Sequence, residues 1–312
     1  MTKPFLSIII PYHNSVDTIG PLLDSIKTSV RPPTYEVIVV DDGSDEKLRI
    51  TNHELKKQLK KYRFPIHIIT FLKNKGPAVA RNAGVRRARG KFVLFLDGDV
   101  RLFPDALANL TKIYTDDPDI VAVTGVWVKE QKTKAFFPNF KALRDWSYWI
   151  NERDINGYYY LFSTRIASIK RTVFQRLKGF DEKYAGPLVE DIEFTYRIAR
   201  RYAIIFAPNV RVHHEFEDFG PIARKYFWRT YYWMKLYAKR KRFDPVATKS
   251  SEATTALSGV ISAGIFLVFV LKSIVEVIQE IYQPGIKIVV DGFAGTQHGW
   301  YDLFWKFFGL IG

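Results

Sequence analysis

Short strand-like runs at Leu6–Ile10, Glu36–Val40, Ile66–Phe71 and Lys91–Leu96 alternate with helical patterns over 17–29, 46–62 and 77–88. Runs of this length and apolarity mark strands covered on both faces, and helices between them mark crossovers. The pattern predicts an α/β fold with a mostly parallel sheet. In such a sheet ligands lie beyond the carboxyl ends of the strands. Three of the four runs end there in polar, turn-forming residues: Pro11–Asn14, Asp41-Asp42-Gly43-Ser44 and Asp97-Gly98-Asp99. The first run is too short for the apolar core of a signal peptide and enters a loop at Pro11.

Further along, the spacing predicts a helix over 104–116, strands over 120–129 and 163–170, and a helix from about Arg171. A helix follows over about 190–201, then a strand over 203–207 leading to Pro208 and on to His213-His214. Residues 140–160 are rich in Trp and Tyr.

Charge and cysteine content narrow the function. The 312 residues hold 47 Lys and Arg against 32 Asp and Glu, a net +15, and no Cys. The missing thiols exclude a disulfide scaffold, a thiolate metal site and a cysteine nucleophile, so any metal sits on oxygen or imidazole. The excess charge calls for a polyanion: nucleic acid, anionic lipid or a phosphorylated substrate. Its position discriminates among these. Residues 221–249 carry nine basic residues against one acid, Asp244, interleaved with aromatics that include Trp228 and Trp233. Helical spacing predicts a helix from Pro221 to about Lys241. The 19 uncharged residues 253–271 follow. As a helix they reach ~28 Å, close to the ~30 Å hydrocarbon core, although a buried core helix is the other reading. The tail Trp300–Ile311 is too short to span and suits an interfacial helix. This layout predicts a helix on an anionic leaflet ahead of a membrane span, and no nucleic-acid partner. Lys239–Arg242 beside the span predict a cell-membrane protein whose preceding domain faces the cytoplasm. The expected divisions are 1–220, 221–250 and 251–312.

Several residues could carry chemistry. Asp97 and Asp99 can share Mg²⁺ or Mn²⁺, ions that also take substrate phosphates, or they form an acidic turn. Asp41 and Asp42 could accept from a nucleobase or ribose, or cap a helix. Lys75 and Arg81 stand at and in a helix whose N-terminus suits a diphosphate, or they belong to an ordinary capped helix with a solvated Arg. Glu190-Asp191 could supply a general base, or compensate a helix dipole. His213 or His214 could be a further metal ligand as a neutral imidazole.

The order and spacing of Ser7–Pro11 and Asn14, Val39–Ser44, Asn74–Gly76, Ala80–Gly84, Phe95–Asp99, Gly179–Glu182, Glu190-Asp191 and Val212-His213 resemble the family-2 glycosyltransferases with the GT-A fold. The resemblance covers roughly residues 4–235. It implies a GT-A nucleotide-sugar-binding domain, a nucleotide-sugar donor such as GDP-mannose or a UDP-hexose, a divalent cation and inverting transfer of a hexose. By that resemblance Asp42 contacts the base with Asp41 nearby, and Pro11 and Asn14 line the nucleotide pocket. The helix-terminus reading adds Lys75 and Arg81 at the donor diphosphate. Asp97 and Asp99 hold ribose and cation, His213 or His214 lies near the metal, and Asp191, beside Glu190, is the base.

The C-terminal third resembles a reduced cellulose-synthase-like arrangement, in which a Gln-x-x-Arg-Trp helix covers the site before the membrane helices. Here Tyr226-Phe227-Trp228-Arg229-Thr230 stands at that place. Arg229 fits; the Gln and the following Trp do not. A single addition to a polyprenyl- or dolichyl-linked acceptor, with Arg229, Trp228 and Trp233 on the acceptor side and mannose favoured, is therefore expected over processive polymer synthesis.

Overall fold

The computed structural model describes residues 3–49, 57, 59–151, 161–184, 186, 188–241 and 250–281. They fall into two compact units, Met1–Ser250 and Ser251–Gly312. The expected helix over 46–62 begins as a single 3₁₀ turn, Glu46–Leu48, and most of the rest lies outside the described residues. The tail Trp300–Ile311 lies outside them as well.

The first unit is built on strands β1 (Leu6–Tyr12), β2 (Tyr35–Asp41), β3 (Ile66–Thr70), β4 (Phe92–Leu96), β5 (Val100–Leu102), β6 (Ala122–Trp127), β7 (Ile166–Lys170) and β8 (Ile204–His214). Its helices are α1 (Val16–Lys27), α2 (Pro77–Arg87), α3 (Ala106–Asp116), α4 (Phe136–Asn151), α5 (Arg171–Arg176), α6 (Glu190–Ala199) and α7 (Phe219–Arg240). The eight strands form one sheet in the order β3-β2-β1-β4-β7-β6-β8-β5. Strands β1, β2, β3 and β4 pair in parallel, as do β6 and β8. Strand β7 is antiparallel to β4 and β6, and β5 to β8. Every residue of β4 is buried, and β1 and β2 are nearly so, which accounts for their unbroken apolar runs. Strand order reverses about β1, whose neighbours are β2 on one side and β4 on the other. The crevice beyond their carboxyl ends is the expected ligand position.

Two elements depart from the sequence reading. The strand expected to stop at 207 runs on to His214. Pro208 is tolerated because it falls where the β6–β8 register jumps, from Thr124↔Phe206 to Val126↔Arg211, so no ladder bond is asked of it. Gly125 sits at the jump, where an added Cβ would lie 2.2 Å from the Val210 carbonyl oxygen. The aromatic stretch from 140 contains most of α4, a helix that composition alone did not announce.

A cluster of phenylalanines fixes the spacing behind the crevice. Phe95 of β4 meets Phe162, Phe174 and Phe180 at centroid distances of 5.2–6.0 Å, and Phe194 of α6 meets Phe162, Phe174 and Phe180. Buried aromatics carry large apolar area with defined geometry, so this cluster sets the N-terminus of α6 against the end of β4.

Helix α7 is two-faced. Arg229, Tyr232, Leu236 and Arg240 recur at helical spacing; Leu236 is buried, Tyr232 packs on Tyr184, and Arg240 lies over the Tyr196 ring. The opposite face exposes Phe227, Trp228, Tyr231 and Met234. In the second unit, α8 (Ser250–Ile281) contains Leu257–Glu276, with mean hydropathy 2.1. Among the described residues it is the one helix long and apolar enough to cross a membrane. The stretch starts and ends later than the expected 253–271 and takes in Lys272, which pairs with Glu276 at 3.5 Å.

Candidate active site

The loops after β1 and β2 form one lip. Asp42 is buried, and its carboxylate accepts the Lys75 and Gly76 backbone N–H groups at 2.7 and 2.8 Å, at the start of α2. Burial pushes its carboxyl above the usual range against the pull of those two donors. Asp41 accepts the Ser44 N–H at 3.0 Å. Gly43 turns the chain with φ +66°, and a Cβ there would lie 2.2 Å from the Lys73 carbonyl carbon. Asn14, itself at φ 51°, clasps the second loop: its N–H donates to Ser44 Oγ, its Nδ2 donates to Asp45, and its Oδ1 accepts the Asp45 N–H. Pro11 stands opposite Val40, beyond the last β1–β4 pair. The Lys75 ammonium lies over the Phe71 ring at 5.1 Å, on the exposed side of the lip.

The opposite wall is carboxylate-rich. Arg81 is buried; its Nη2 donates to Asp97 Oδ1 at 2.7 Å and its Nη1 to Glu190 Oε1 at 3.0 Å. Arg81, expected at the donor diphosphate, thus lies beneath the crevice with both terminal nitrogens engaged by carboxylates. Glu190 also accepts the Leu188 N–H at 2.9 Å. Asp191 is less enclosed; its Oδ1 accepts the Ile192 N–H at 2.8 Å. Burial raises its carboxyl above the ordinary value, opposed by the charges of Arg229 and Arg81.

The two histidines part ways, as neighbours on a strand must. His213 stacks on Phe103 at 4.4 Å, whereas His214 Nε2 lies 3.7 Å from Asp99 Oδ2. Burial and the Arg165 charge push His214 down to about 3, so its ring is neutral at neutral pH. Burial and the adjacent Asp97 push Asp99 up to about 6. His214 Nδ1 is buried with no hydrogen-bond partner among the described residues. Of the acceptor-side residues, Arg229 is near enough to act electrostatically on Asp191, while Trp228 is half exposed on the outer face and Trp233 stacks on Tyr237.

Sequence reasoning missed two features. Asn82 of α2 latches the loop before α6: its Nδ2 donates to the Phe180 carbonyl and to Glu182, and its Oδ1 accepts the Phe180 N–H. This contact explains why the 80–84 and 179–182 motifs occur together. Arg165, just before β7, lies over the Trp127 ring at 4.6 Å. Its signal was its position immediately before a strand that opposes β4, which becomes visible only once β7 is known to be antiparallel.

Residues 7–178 match the sequence profile of glycosyl transferase family 2. The chain belongs to this family. Among curated relatives, the putative teichuronic acid biosynthesis glycosyltransferase TuaG of Bacillus subtilis is 36% identical over 123 residues, 39% of this chain and 47% of TuaG. The poly(ribitol-phosphate) beta-glucosyltransferase of Bacillus spizizenii is 38% identical over 126 residues, 39% of this chain and 19% of that protein. This family-2 chain thus spans less than half the length of either. Among solved structures, the mannosyltransferase PcManGT from Pyrobaculum calidifontis, in complex with GDP-Man and Mn²⁺, superposes with TM-score 0.56 at 22% identity, over 75% of this chain and 65% of that one. The family-2 chain therefore shares the GT-A architecture, with its α/β layering and mostly parallel sheet.

The residues present suit a divalent cation of limited protein ligation. Among the described residues no three His, Asp or Glu side chains form a ready-made cage. Asp99, with neutral His214 and its unpartnered Nδ1 behind it, offers the hard-oxygen and imidazole set that Mn²⁺ or Mg²⁺ completes with substrate phosphates.

Proposed function

We propose that this family-2 protein transfers a single hexose, mannose by preference, from a nucleotide-diphosphate sugar to a polyprenyl-linked acceptor, with inversion. The observation that carries the reading is the bridge through Arg81. It ties the Asp97–Asp99 turn to the Glu190-Asp191 helix start, and the same helix α2 that carries Arg81 begins at the Asp42 lip. A nucleoside fits the lip, where Asp42 keeps lone pairs beyond those used by Lys75 and Gly76. A bound Mn²⁺ or Mg²⁺ would be held by Asp99, with Asp97 and His214 beside it, and would supply charge to the departing diphosphate.

Asp191 does the acceptor-side work. Its Oδ1 is tied to the Ile192 N–H, which leaves Oδ2 to take the proton from an acceptor hydroxyl. The acceptor oxygen bonds to the anomeric carbon as the bond to the diphosphate breaks. The electron pair leaves with the nucleoside diphosphate, and the configuration inverts. Where the acceptor is a lipid phosphate, its oxygen is already anionic and Asp191 orients it. The exposed Phe227, Trp228, Tyr231 and Met234, with Arg224 and Lys235 beside them, support a helix seated on an anionic leaflet. The apolar α8 and the basic residues 239–242 support attachment to the cell membrane with the catalytic unit on the cytoplasmic side.

The experiment is a donor panel, GDP-mannose and UDP-hexoses, with Mn²⁺ and a polyprenyl phosphate. One added hexose on the lipid with matching nucleotide release is the expected product. Absence of release from every donor, or a polymer ladder, would reject the reading.

A further inference from the structure

Arg165 takes no part in the steps above, yet the sheet delivers it to the same crevice. Strands β4 and β7 are antiparallel with Leu96 opposite Ile166, so one further step sets Arg165 across from Asp97. Strands β6 and β7 pair with Thr124 opposite Ala167, and the same continuation brings Arg165 to the end of β6. There its guanidinium lies over the Trp127 ring at 4.6 Å and the Phe216 ring at 5.7 Å, and Phe216 packs against His214. Aromatic faces hold a guanidinium through its plane and leave its N–H edge available. That edge makes no hydrogen bond or ion pair with any described residue. Arg81 is the contrast: its terminal nitrogens are both engaged. The Arg165 charge also acts on Asp97, Asp99, Asp191 and His214 together, favouring the ionised carboxylates and disfavouring the imidazolium.

We propose that Arg165 binds a substrate phosphate in the crevice between Asp97, Asp99 and Asp191. The proposal rests on the nucleotide-sugar reading above. Under that reading two phosphates meet at this place: the donor diphosphate, which gains negative charge as it leaves, and the phosphate of the lipid-linked acceptor. A planar fork held on Trp127 suits either through paired N–H···O contacts.

The test compares wild type, Arg165→Gln and Arg165→Lys. Binding of GDP, UDP, guanosine and uridine is measured with Mn²⁺, and KM is measured for a short polyprenyl phosphate. A donor contact weakens the nucleoside diphosphates roughly tenfold or more in Arg165→Gln, with the nucleosides unchanged and the Lys variant intermediate. An acceptor contact leaves all four unchanged and raises the acceptor KM by a similar factor. Equal loss for nucleosides and nucleoside diphosphates overturns the proposal in favour of a structural place for Arg165, and so does no change in any arm. Should the Gln variant fail to fold, Arg165→Lys carries the comparison, because it keeps the charge and loses the fork. Wild type that binds neither nucleotide and turns over no donor defeats the transferase reading itself. Wild-type binding that survives Arg165→Gln, with acceptor KM also unmoved, defeats only the phosphate contact.

Discussion

Arg81 Nη2 and Asp97 Oδ1 stand 2.7 Å apart at the bottom of the crevice, in a pair whose arginine is almost wholly removed from solvent. Because the same guanidinium also binds Glu190, its removal strands two carboxylates at once. Breaking one partner of a buried pair costs about 3–5 kcal/mol. Arg81→Met is expected to lower stability by that order in chemical denaturation. A loss under about 1 kcal/mol, the scale of an exposed pair, would show that the bridge is not a fixed part of the fold.

The histidines separate cleanly by position. His214→Asn is expected to cut Mn²⁺-supported turnover by about 10–100-fold and to raise the Mn²⁺ concentration needed for half activity. His213→Asn, which alters only the stack on Phe103, is expected to stay near wild type. A metal titration of both variants reads the difference, and the reverse ranking would move the ligand to the other face of β8.

Asp191 must be ionised to accept a proton, and burial raises its carboxyl above the ordinary 3.8. Activity on a hydroxyl acceptor should therefore fall as pH drops through a carboxyl pKa above that value, and plateau above it. Asp191→Asn should remove this limb and lower kcat by about 10²–10⁴-fold while nucleotide affinity holds. Asp99, pushed up to about 6, can give a limb of the same sign through the cation. The profile is therefore read at saturating Mn²⁺, where a limb intact in the Asn variant would assign the base elsewhere.

The β6–β8 register jump depends on a residue without a side chain. In Gly125→Ala the new methyl meets the Val210 carbonyl at 2.2 Å, a contact with backbone that cannot swing aside. Overpacking of this kind costs about 1–3 kcal/mol. The melting temperature is expected to fall, and the metal affinity with it, because the shifted segment leads directly to His214.

The outer face of α7 gives a prediction of its own. Phe227→Ser with Trp228→Ser should weaken binding to anionic vesicles with little effect on folding, since both side chains are exposed. Binding of the parent should fall with added salt, as the basic share of the attraction is screened. Salt-insensitive binding would leave only the apolar part of the argument.

Much of this architecture was legible in the sequence because it is local. The strands β1, β2 and β4 announce themselves by unbroken apolarity, and their polar ends, acidic after β2 and β4, mark the crevice. The rest depends on long-range pairing. Arg81 reads as a solvated or phosphate-binding cation until α6 is seen to bring Glu190 against it, 109 residues away. Asn82 and Phe180 meet at a similar separation. Pro208 suggested a strand end because a bulge that carries β8 past its partner, with Pro208 among the extra residues, reads in sequence like a terminus. Arg165 stayed unnoticed because its meaning comes from the antiparallel insertion of β7 into an otherwise parallel run. The choice between His213 and His214 needed only the side of the strand, which periodicity cannot anchor without a partner.

The phenylalanine cluster around Phe95 acts as a spacer between the Asp97–Asp99 turn and the Glu190-Asp191 helix start. The donor lip, by contrast, is held by the Asn14–Asp45 clasp and the Gly43 turn near the surface. The two are built from different parts of the chain and different forces. Under the proposed function, substitutions in the lip are expected to change which nucleotide sugar is accepted while the spacing set by the phenylalanine cluster stays constant, so donor choice and transfer geometry would be separately adjustable.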